Sequence, residues 1–183
     1  MTTNSMRSAV ILFSMSIFAV SGCGYTTRSL MSPHYKTIYV ENFTNKIRIT
    51  EEQSDVRMYR GYRPGMEIDI TKDTVDRFLF DGNLKIVNDK NADLILKGEL
   101  VDFRKEALRY DANNNIEEYR IALVVNLELT DQKSEKAVWT EGGFSGEAVY
   151  RTSGSLAKSE TTAIRDASKD LARRIVERTV EGW

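Results

Sequence analysis

The chain has 183 residues, with 26 basic and 27 acidic side chains, and its formal net charge is −1 at pH 7. A chain so close to neutral has no overall field that would draw it to nucleic acid, and we expect no nucleic-acid partner. It contains one cysteine, Cys23, and one histidine, His34, which lies beside a proline in a polar segment. With only one cysteine and one histidine, the sequence favours neither a zinc site nor nucleophilic catalysis. We therefore expect that the protein is not an enzyme and binds no metal or cofactor.

The N-terminus has the pattern of a bacterial lipoprotein signal. Residues 1–7 are polar with one positive side chain, and residues 8–20 are nearly all apolar but too few to span a bilayer. The small residues Ser21 and Gly22 stand directly before Cys23. We predict that residues 1–22 are a cleaved signal peptide, that Cys23 is lipidated with diacylglycerol and an acyl chain such as palmitate, and that residues 23–35 are a tether. The alternative is a plain signal peptide with a chance cysteine.

A lipid on Cys23 would place the rest of the chain at a membrane. One acyl chain binds a bilayer only marginally, whereas two or more anchor it stably. Gly24 follows the cysteine, and a residue other than aspartate there is typical of export to the outer membrane. We therefore expect one domain, residues 36–183, on the periplasmic side of the outer membrane.

The first half of this domain is predicted from its hydrophobic periodicity. Residues 36–43 alternate as a strand, and residues 46–65 form a long polar loop rich in arginine and tyrosine. That loop is either a solvated segment or a grip for an acidic or phosphorylated partner. A helix then runs from Met66 to Gly82, with a predicted apolar face made of Ile68, Val75, Phe78 and Leu79.

The second half reads as antiparallel strands and a helix. A short strand over 84–87 precedes a long one over 94–109, in which a change of parity predicts a bulge near Gly98. After a turn at 111–115, an alternating row predicts a central strand that faces the helices, with Ala122 and Val124 on the uncovered side; the row is Ile121, Leu123, Val125, Leu127 and Leu129. A last strand loosens at Gly142 and Gly143, and a helix capped by Ser159 follows.

This order predicts an α+β two-layer sandwich. Two helices would pack on one face of a mainly antiparallel sheet of four to five strands. Two helices can cover only one face of such a sheet, so the other face would be available to a partner.

Several short motifs resemble the LptE family of lipopolysaccharide-assembly lipoproteins. They are Cys-Gly-Tyr at 23–25, Ile-Tyr-Val-Glu-Asn-Phe-Thr-Asn at 38–45, Leu-Lys-Ile-Val at 84–87, Ala-Asp-Leu-Ile-Leu-Lys-Gly-Glu-Leu at 92–100 and Glu-Tyr-Arg at 118–120. The C-terminal amphipathic helix completes the resemblance, while the 46–65 loop is longer than the family pattern suggests. The resemblance implies a domain that sits as a plug inside the outer-membrane β-barrel protein LptD and helps to insert lipopolysaccharide into the outer leaflet.

A second reading is a periplasmic lipoprotein that regulates a cell-wall synthase, similar to the LpoB-type activators. Such regulators have a longer, proline-rich tether because they reach through the envelope. Here about a dozen residues separate Cys23 from the first strand, and they reach on the order of 40 Å when extended. The short tether favours a partner at the membrane.

Lipopolysaccharide carries phosphates, so its binding site should offer cations. The candidates are Lys97, Lys105, Arg109 and Arg120, the first three because they share a parity on the long strand. We expect these residues to gather on the uncovered face of the sheet. The alternative is that they are ordinary exposed charges.

Overall fold

The computed structural model describes residues 35–47, 63–88 and 91–181, together with the backbone of residues 58–60. The predicted signal peptide, Cys23 and nearly all of the tether lie outside the described residues. Within them the elements are, in order, β1 Thr37–Val40, β2 Thr44–Asn45, β3 Met58–Arg60, α1 Met66–Asp81, β4 Lys85–Ile86, β5 Leu94–Tyr110, β6 Ile116–Asp131, β7 Lys136–Arg151 and α2 Glu160–Glu181.

The strands form one mixed sheet. Its main path is β4-β1-β5-β6-β7, and β2 and β3 also pair with β5. The predicted α+β class with two helices is confirmed, but the mainly antiparallel sheet of four to five strands is wrong in detail. The described sheet has seven strands, and β1 runs parallel to both β4 and β5. The chain crosses over through α1 between β1 and β4, and such a crossover makes the two strands parallel.

The predicted polar loop over 46–65 is interrupted by a strand. Residues 58–60 form β3, which pairs antiparallel with residues 104–106 of β5. Arg48 and Arg57 lie outside the described residues, while Arg63 forms an ion pair with Glu160 at the start of α2. A sequence of alternating polar and aromatic residues therefore includes an edge strand that its hydrophobicity does not reveal.

One face of β6 packs against the helices, as predicted. All five side chains of the row are at most 2% exposed; they are Ile121, Leu123, Val125, Leu127 and Leu129. They join residues of both helices in one core, including Phe78 of α1 and Leu171 of α2. Burial of this row contributes to the hydrophobic stabilisation of the sheet.

The other face of β6 differs from the prediction. Ala122 and Val124 are each only 5% exposed. Ala122 has Arg104 and Glu147 as its cross-strand neighbours, and Val124 has Asp102. Arg104 and Asp102, which both lie on β5, form an ion pair of 3.2 Å beside these side chains. We call the face turned away from the helices the open face. It presents charged groups around the buried side chains of Ala122 and Val124.

Helix α1 buries only part of the face that its sequence predicts. Phe78 is buried and Val75 packs against the core, as predicted, but Ile68 and Leu79 are 66% and 62% exposed. The helix buries Met66, Ile70 and Thr74 in their place. Thr74 is accommodated because its hydroxyl donates a hydrogen bond of 2.7 Å to the Ile70 carbonyl. The predicted end is confirmed, since Gly82 has φ 75° and its N–H donates to the Phe78 carbonyl.

Strand β5 has three register shifts against β6, all farther along the strand than predicted. The first falls between Leu100 and Asp102, which makes Val101 the extra residue, and the other two flank Arg109. Gly98, where the bulge was expected, stays in register opposite Leu127. A Cβ on Gly98 would come within 2.1 Å of the Phe43 ring, so glycine is needed there for close packing.

Helix α2 lies directly on β7 and β6. Ser159 caps it as predicted, since its hydroxyl accepts a hydrogen bond of 3.1 Å from the Thr162 N–H. Gly146 lies beneath the middle of the helix, where a Cβ would come within 2.4 Å of the Leu171 backbone nitrogen. The helix can therefore approach the sheet this closely only above a glycine.

The start of the domain is held by Asp93. Its carboxylate accepts hydrogen bonds from the backbone N–H groups of Lys36 and Thr37, at 2.9 and 3.1 Å, and from the Thr37 hydroxyl at 3.0 Å. The Lys36 hydrogen bond is the main reason why the pKa of Asp93 lies below its ordinary value. Tyr35 donates a further bond of 3.0 Å to Asp131. The N-terminal segment thus enters the sheet at a fixed point.

We predict that Asp93→Asn lowers the free energy of unfolding by about 1–3 kcal/mol at neutral pH, because hydrogen bonds to a charged carboxylate are lost. A pKa lowered by folding stabilises above the unfolded-state value and loses that contribution as pH falls through the folded-state value. The difference from wild type should therefore shrink in acid. Urea unfolding at several pH values measures it, with Asp76→Asn, an exposed carboxylate in a 3.9 Å pair, as the control. A constant difference down to low pH would contradict this role.

Candidate functional site

At the end formed by the β5–β6 hairpin, the sheet extends beyond the first residue of α2. Strands β5, β6 and β7 contain 17, 16 and 16 residues. Glu160 at the start of α2 is level with Lys105, whose ammonium it binds. Residues 106–110 of β5 therefore extend about 17 Å farther. Three of the four predicted binding residues lie on or beside this end of the sheet.

Lys105 lies on the helix-covered face and not on the open face. It pairs across β6 with Ile121, which belongs to the buried row. Its Nζ lies 2.5 Å from Glu160 Oε2 and 4.3 Å from the centre of the Tyr119 ring. The Tyr119 ring in turn stacks on Tyr150 at 5.7 Å. Lys105 is therefore part of the packing between the sheet and α2.

Two opposing effects set the pKa of Lys105. Burial lowers it, while the hydrogen bond and the charge of Glu160 raise it, and the net result is a pKa above the ordinary lysine value. Glu160 also pairs with Arg63, which precedes α1. One carboxylate thus connects β5, α2 and the segment before α1. We therefore assign Lys105 a structural role in the folded domain.

Arg109 lies at the projecting end of the sheet in a chain of ion pairs. Its Nε is 3.1 Å from Glu117 and 4.0 Å from Glu118. Glu118 also lies 3.7 Å from the Nε of Arg151 on β7. Glu118 thus joins arginines from the two strands that flank β6.

Arg120 lies two residues farther along β6 on the same face as Glu118. Arg120 directly precedes Ile121 of the buried row, and adjacent side chains of a strand point to opposite faces. Arg120 therefore belongs to the open face. Its Nε is 3.5 Å from Glu147 of β7. We call Arg109, Arg120 and Arg151 the arginine patch. Their three guanidinium groups are matched by Glu117, Glu118 and Glu147, so the folded patch has no net positive charge.

Lys97 stands apart from this patch. It pairs across the sheet with Glu128, while Arg120 pairs with Glu106. Eight residues of β6 separate these two positions, a distance of about 26 Å. The four predicted binding residues are therefore divided into a structural lysine, an isolated lysine and two members of the arginine patch.

Two register shifts in β5 explain this division. Lys97 and Lys105 share a parity in the sequence, but the extra residue Val101 turns them to opposite faces. A second shift, between Ala107 and Arg109, turns Arg109 away from the face of Lys105. Sequence reasoning also missed Arg151, although the order β5-β6-β7 places it opposite Glu118. The contact between Lys105 and Glu160 spans 55 positions and leaves no local signal in the sequence.

The described residues offer no other obvious chemistry. Within residues 35–47, 63–88 and 91–181, no group of three or more histidine, cysteine, aspartate or glutamate residues could hold a metal ion. No helix in those ranges is long and apolar enough to cross a membrane. The arginine patch is thus the candidate site that geometry and charge support.

We predict that Glu160→Gln lowers the free energy of unfolding by about 1–3 kcal/mol, because two half-buried cations lose their common partner. The folded-state pKa of Lys105 is raised, so this stabilisation is complete below the ordinary lysine pKa and is lost as pH rises through the folded value. Denaturant melts across the alkaline range measure the effect. Glu177→Gln, which breaks an exposed pair with Arg173 on α2, should cost under about 0.5 kcal/mol. Equal costs for the two variants would refute the assignment.

Comparison with known proteins gives this fold a family. A family model for LptE, lipopolysaccharide-assembly, matches residues 35–179. A minor lipoprotein from Acinetobacter baumannii is similar in structure, with 18% identity, a TM-score of 0.51 and coverage of 80% of this chain and 93% of that one. Lipoprotein B from Nitrosomonas europaea shows 14% identity, a TM-score of 0.50 and coverage of 80% and 83%.

A search of curated proteins found no match. At such low identities the two solved structures show a shared fold only. The family model is the stronger finding, because it extends from the first described residue, Tyr35, almost to the end of α2. The chain therefore belongs to the LptE family of lipopolysaccharide-assembly proteins.

Proposed function

We propose that this protein is an outer-membrane lipoprotein, anchored through Cys23, that partners an LptD-type β-barrel as a plug and assists lipopolysaccharide transport and insertion into the outer leaflet. The observation that carries this proposal is the family match over residues 35–179. The sequence before Cys23 supports the lipid anchor. The similar structures from two other bacteria are lipoproteins by their own descriptions.

The open face suits a protein that meets both a barrel and a charged lipid. Its side chains above Ala122 and Val124 are paired ions and not an extended apolar surface. Partly exposed ion pairs contribute only about 0–1 kcal/mol each, so a ligand can replace one partner at small cost. A charged surface of this kind can exchange contacts with a partner and still remain soluble without it.

We infer that the arginine patch binds the phosphates of lipopolysaccharide. A phosphate is a better bidentate partner for a guanidinium group than a single carboxylate oxygen at 3.5 Å or more. Arg109 and Arg151 already converge on Glu118, so one phosphate could take the position of that carboxylate. Lys97 would act separately, about 26 Å away.

We predict that the triple variant Arg109→Gln, Arg120→Gln and Arg151→Gln weakens lipopolysaccharide binding at least about tenfold at low salt, because charge-assisted hydrogen bonds are lost. The wild-type affinity should fall with added salt more steeply than that of the variant. Binding of the purified mature chain to lipopolysaccharide is measured in a salt series. Lys72→Gln on α1, whose side chain is 75% exposed, is the control for the loss of a positive charge away from the patch. A variant that folds and binds like wild type would remove this site and leave Lys97 or the 46–65 segment as candidates.

We predict that a large β-barrel copurifies with the lipidated protein from detergent-solubilised outer membranes. Cys23→Ser should leave an unprocessed precursor without acyl chains, because the sequence contains no second cysteine. Mass spectrometry of the mature wild-type chain identifies the lipid. An unmodified Cys23 would contradict the anchor, and a cell-wall synthase in place of the barrel would favour the regulator instead.

A further inference from the structure

A small cavity lies between the two helices, beside the residues where each of them begins. Its volume is about 190 Å³. Leu123 of β6 lines it from the sheet, Met66 lines it from the first turn of α1, and Ile164 and Ser168 line it from α2. Drug-sized ligands occupy pockets of about 300–1,000 Å³, so this cavity suits a smaller molecule with an apolar part.

The hydroxyl of Ser168 is a buried polar group that the fold leaves unsatisfied. Thr74, Ser168 and Thr179 are each at most 3% exposed. The two threonine hydroxyls donate hydrogen bonds of 2.7 and 2.8 Å to the carbonyls of Ile70 and Ile175 in their own helices. Ser168 Oγ has no hydrogen-bond partner among the described residues. Burying a hydroxyl without a partner costs stability, and a ligand in the cavity can supply that partner.

The charged groups around the cavity favour an anion. Arg63 before α1 and Arg165 on α2 both line it. Arg63 also binds Glu160, but a guanidinium group has five N–H donors and can serve two partners. The side chain of Arg165 forms no ion pair with another described residue, so it is available to a ligand. Asp69 is the one carboxylate that lines the cavity, so the two arginines outweigh it.

The beginning of α1 also favours an anion at this place. Gly65 precedes the helix with φ 94°, and no side chain among the described residues caps it. The positive end of the helix dipole therefore lies beside the cavity wall that Arg63 and Met66 form. The donors stand on both sides of the cavity, before α1 and on α2. A phosphate monoester has three terminal oxygens and can accept from both sides, whereas a carboxylate has only two.

We propose that this cavity binds a small phosphate monoester. Arg63, Arg165 and the Ser168 hydroxyl hold the phosphate oxygens, and the body of the ligand lies against the apolar wall. The cavity lies on the helix-covered face and the arginine patch lies on the open face, so the two sites are occupied independently. A free glycerol or sugar phosphate and the headgroup of a lipid share this chemistry. The inference does not depend on the anchor or on the barrel.

The test titrates the purified mature chain with sn-glycerol 3-phosphate and with inorganic phosphate in a calorimeter. We expect glycerol phosphate to bind at least about threefold more tightly than phosphate, because its body contacts apolar side chains. Arg165→Gln should weaken binding at least about fivefold, since a charge-assisted hydrogen bond is lost. Asp69→Asn should strengthen it about twofold, because a repelling charge is removed. Lys169→Gln is the control, since Lys169 is an exposed cation of α2 that does not line this cavity.

Ser168→Ala separates a role in binding from a role in stability. It should weaken the binding of glycerol phosphate at least about threefold, because one hydrogen bond to the phosphate is lost. Urea unfolding of the same variant should show a free energy of unfolding that is unchanged or higher, because the substitution removes a buried hydroxyl that has no partner in the free protein. A less stable variant that binds like wild type would contradict the assignment.

Other outcomes would also overturn the inference. Equal affinities of wild type, Arg165→Gln and Ser168→Ala, or no measurable heat with either ligand, would show that the cavity holds water only. Binding that the triple variant of the arginine patch loses and Arg165→Gln retains would move the phosphate to the patch. A soluble short-chain phosphatidic acid distinguishes the two sources. Its binding through Ser168 supports the site and identifies a lipid headgroup, whereas binding of glycerol phosphate alone supports the site and identifies a free phosphate monoester.

Discussion

The extra residue at Val101 in β5 determines which side chains face the helices along most of the sheet. Before it, Leu94, Leu96 and Leu100 point into the core, and after it Phe103 does so. A strict alternation would have turned Phe103 outward and left a gap beneath the helices. One inserted residue therefore keeps both halves of a 17-residue strand in the same core.

The same register shift allows β5 to form an ion pair with the beginning of α2. It turns Lys105 inward, where the carboxylate of Glu160 meets both this lysine and Arg63. Farther along, Gly146 lets α2 approach the sheet more closely than any side chain would allow. An ion-pair cluster thus holds the beginning of the helix, and a close backbone contact holds its middle.

The parts of the fold that the sequence predicts are those where one local rule acts alone. The row through Leu127 repeats over nine residues with one buried face, and Gly82 and Ser159 end or begin helices through their own backbone or hydroxyl chemistry. Turn residues 111–115 likewise form a hairpin, in which Asp111 accepts hydrogen bonds from the Asn113 and Asn115 N–H groups. Local chemistry is sufficient in each of these places.

The other parts of the fold and the candidate site depend on contacts between residues that are distant in the chain. Strands β2, β3 and β4 contain two or three residues, too few to show a period. The buried face of α1 includes Thr74, whose hydroxyl is satisfied within the helix, so hydrophobicity alone identifies only part of that face. The predicted binding residues were divided because their parity was carried across two register shifts, at Val101 and between Ala107 and Arg109, where pairing with β6 decides which face a side chain takes.

The balance of charge in the arginine patch also constrains how a ligand could reach it. Three arginines matched by three glutamates create little field beyond about a Debye length, so the patch would not attract a phosphate from far away. Its affinity would come from exchange of partners at contact. A protein held at a membrane by a lipid does not need long-range attraction, because tethering raises the effective concentration of lipid ligands around it. The near-neutral composition and the predicted lipoprotein signal would therefore fit the proposed mode of action, in which the anchor would supply proximity and the paired arginines recognition.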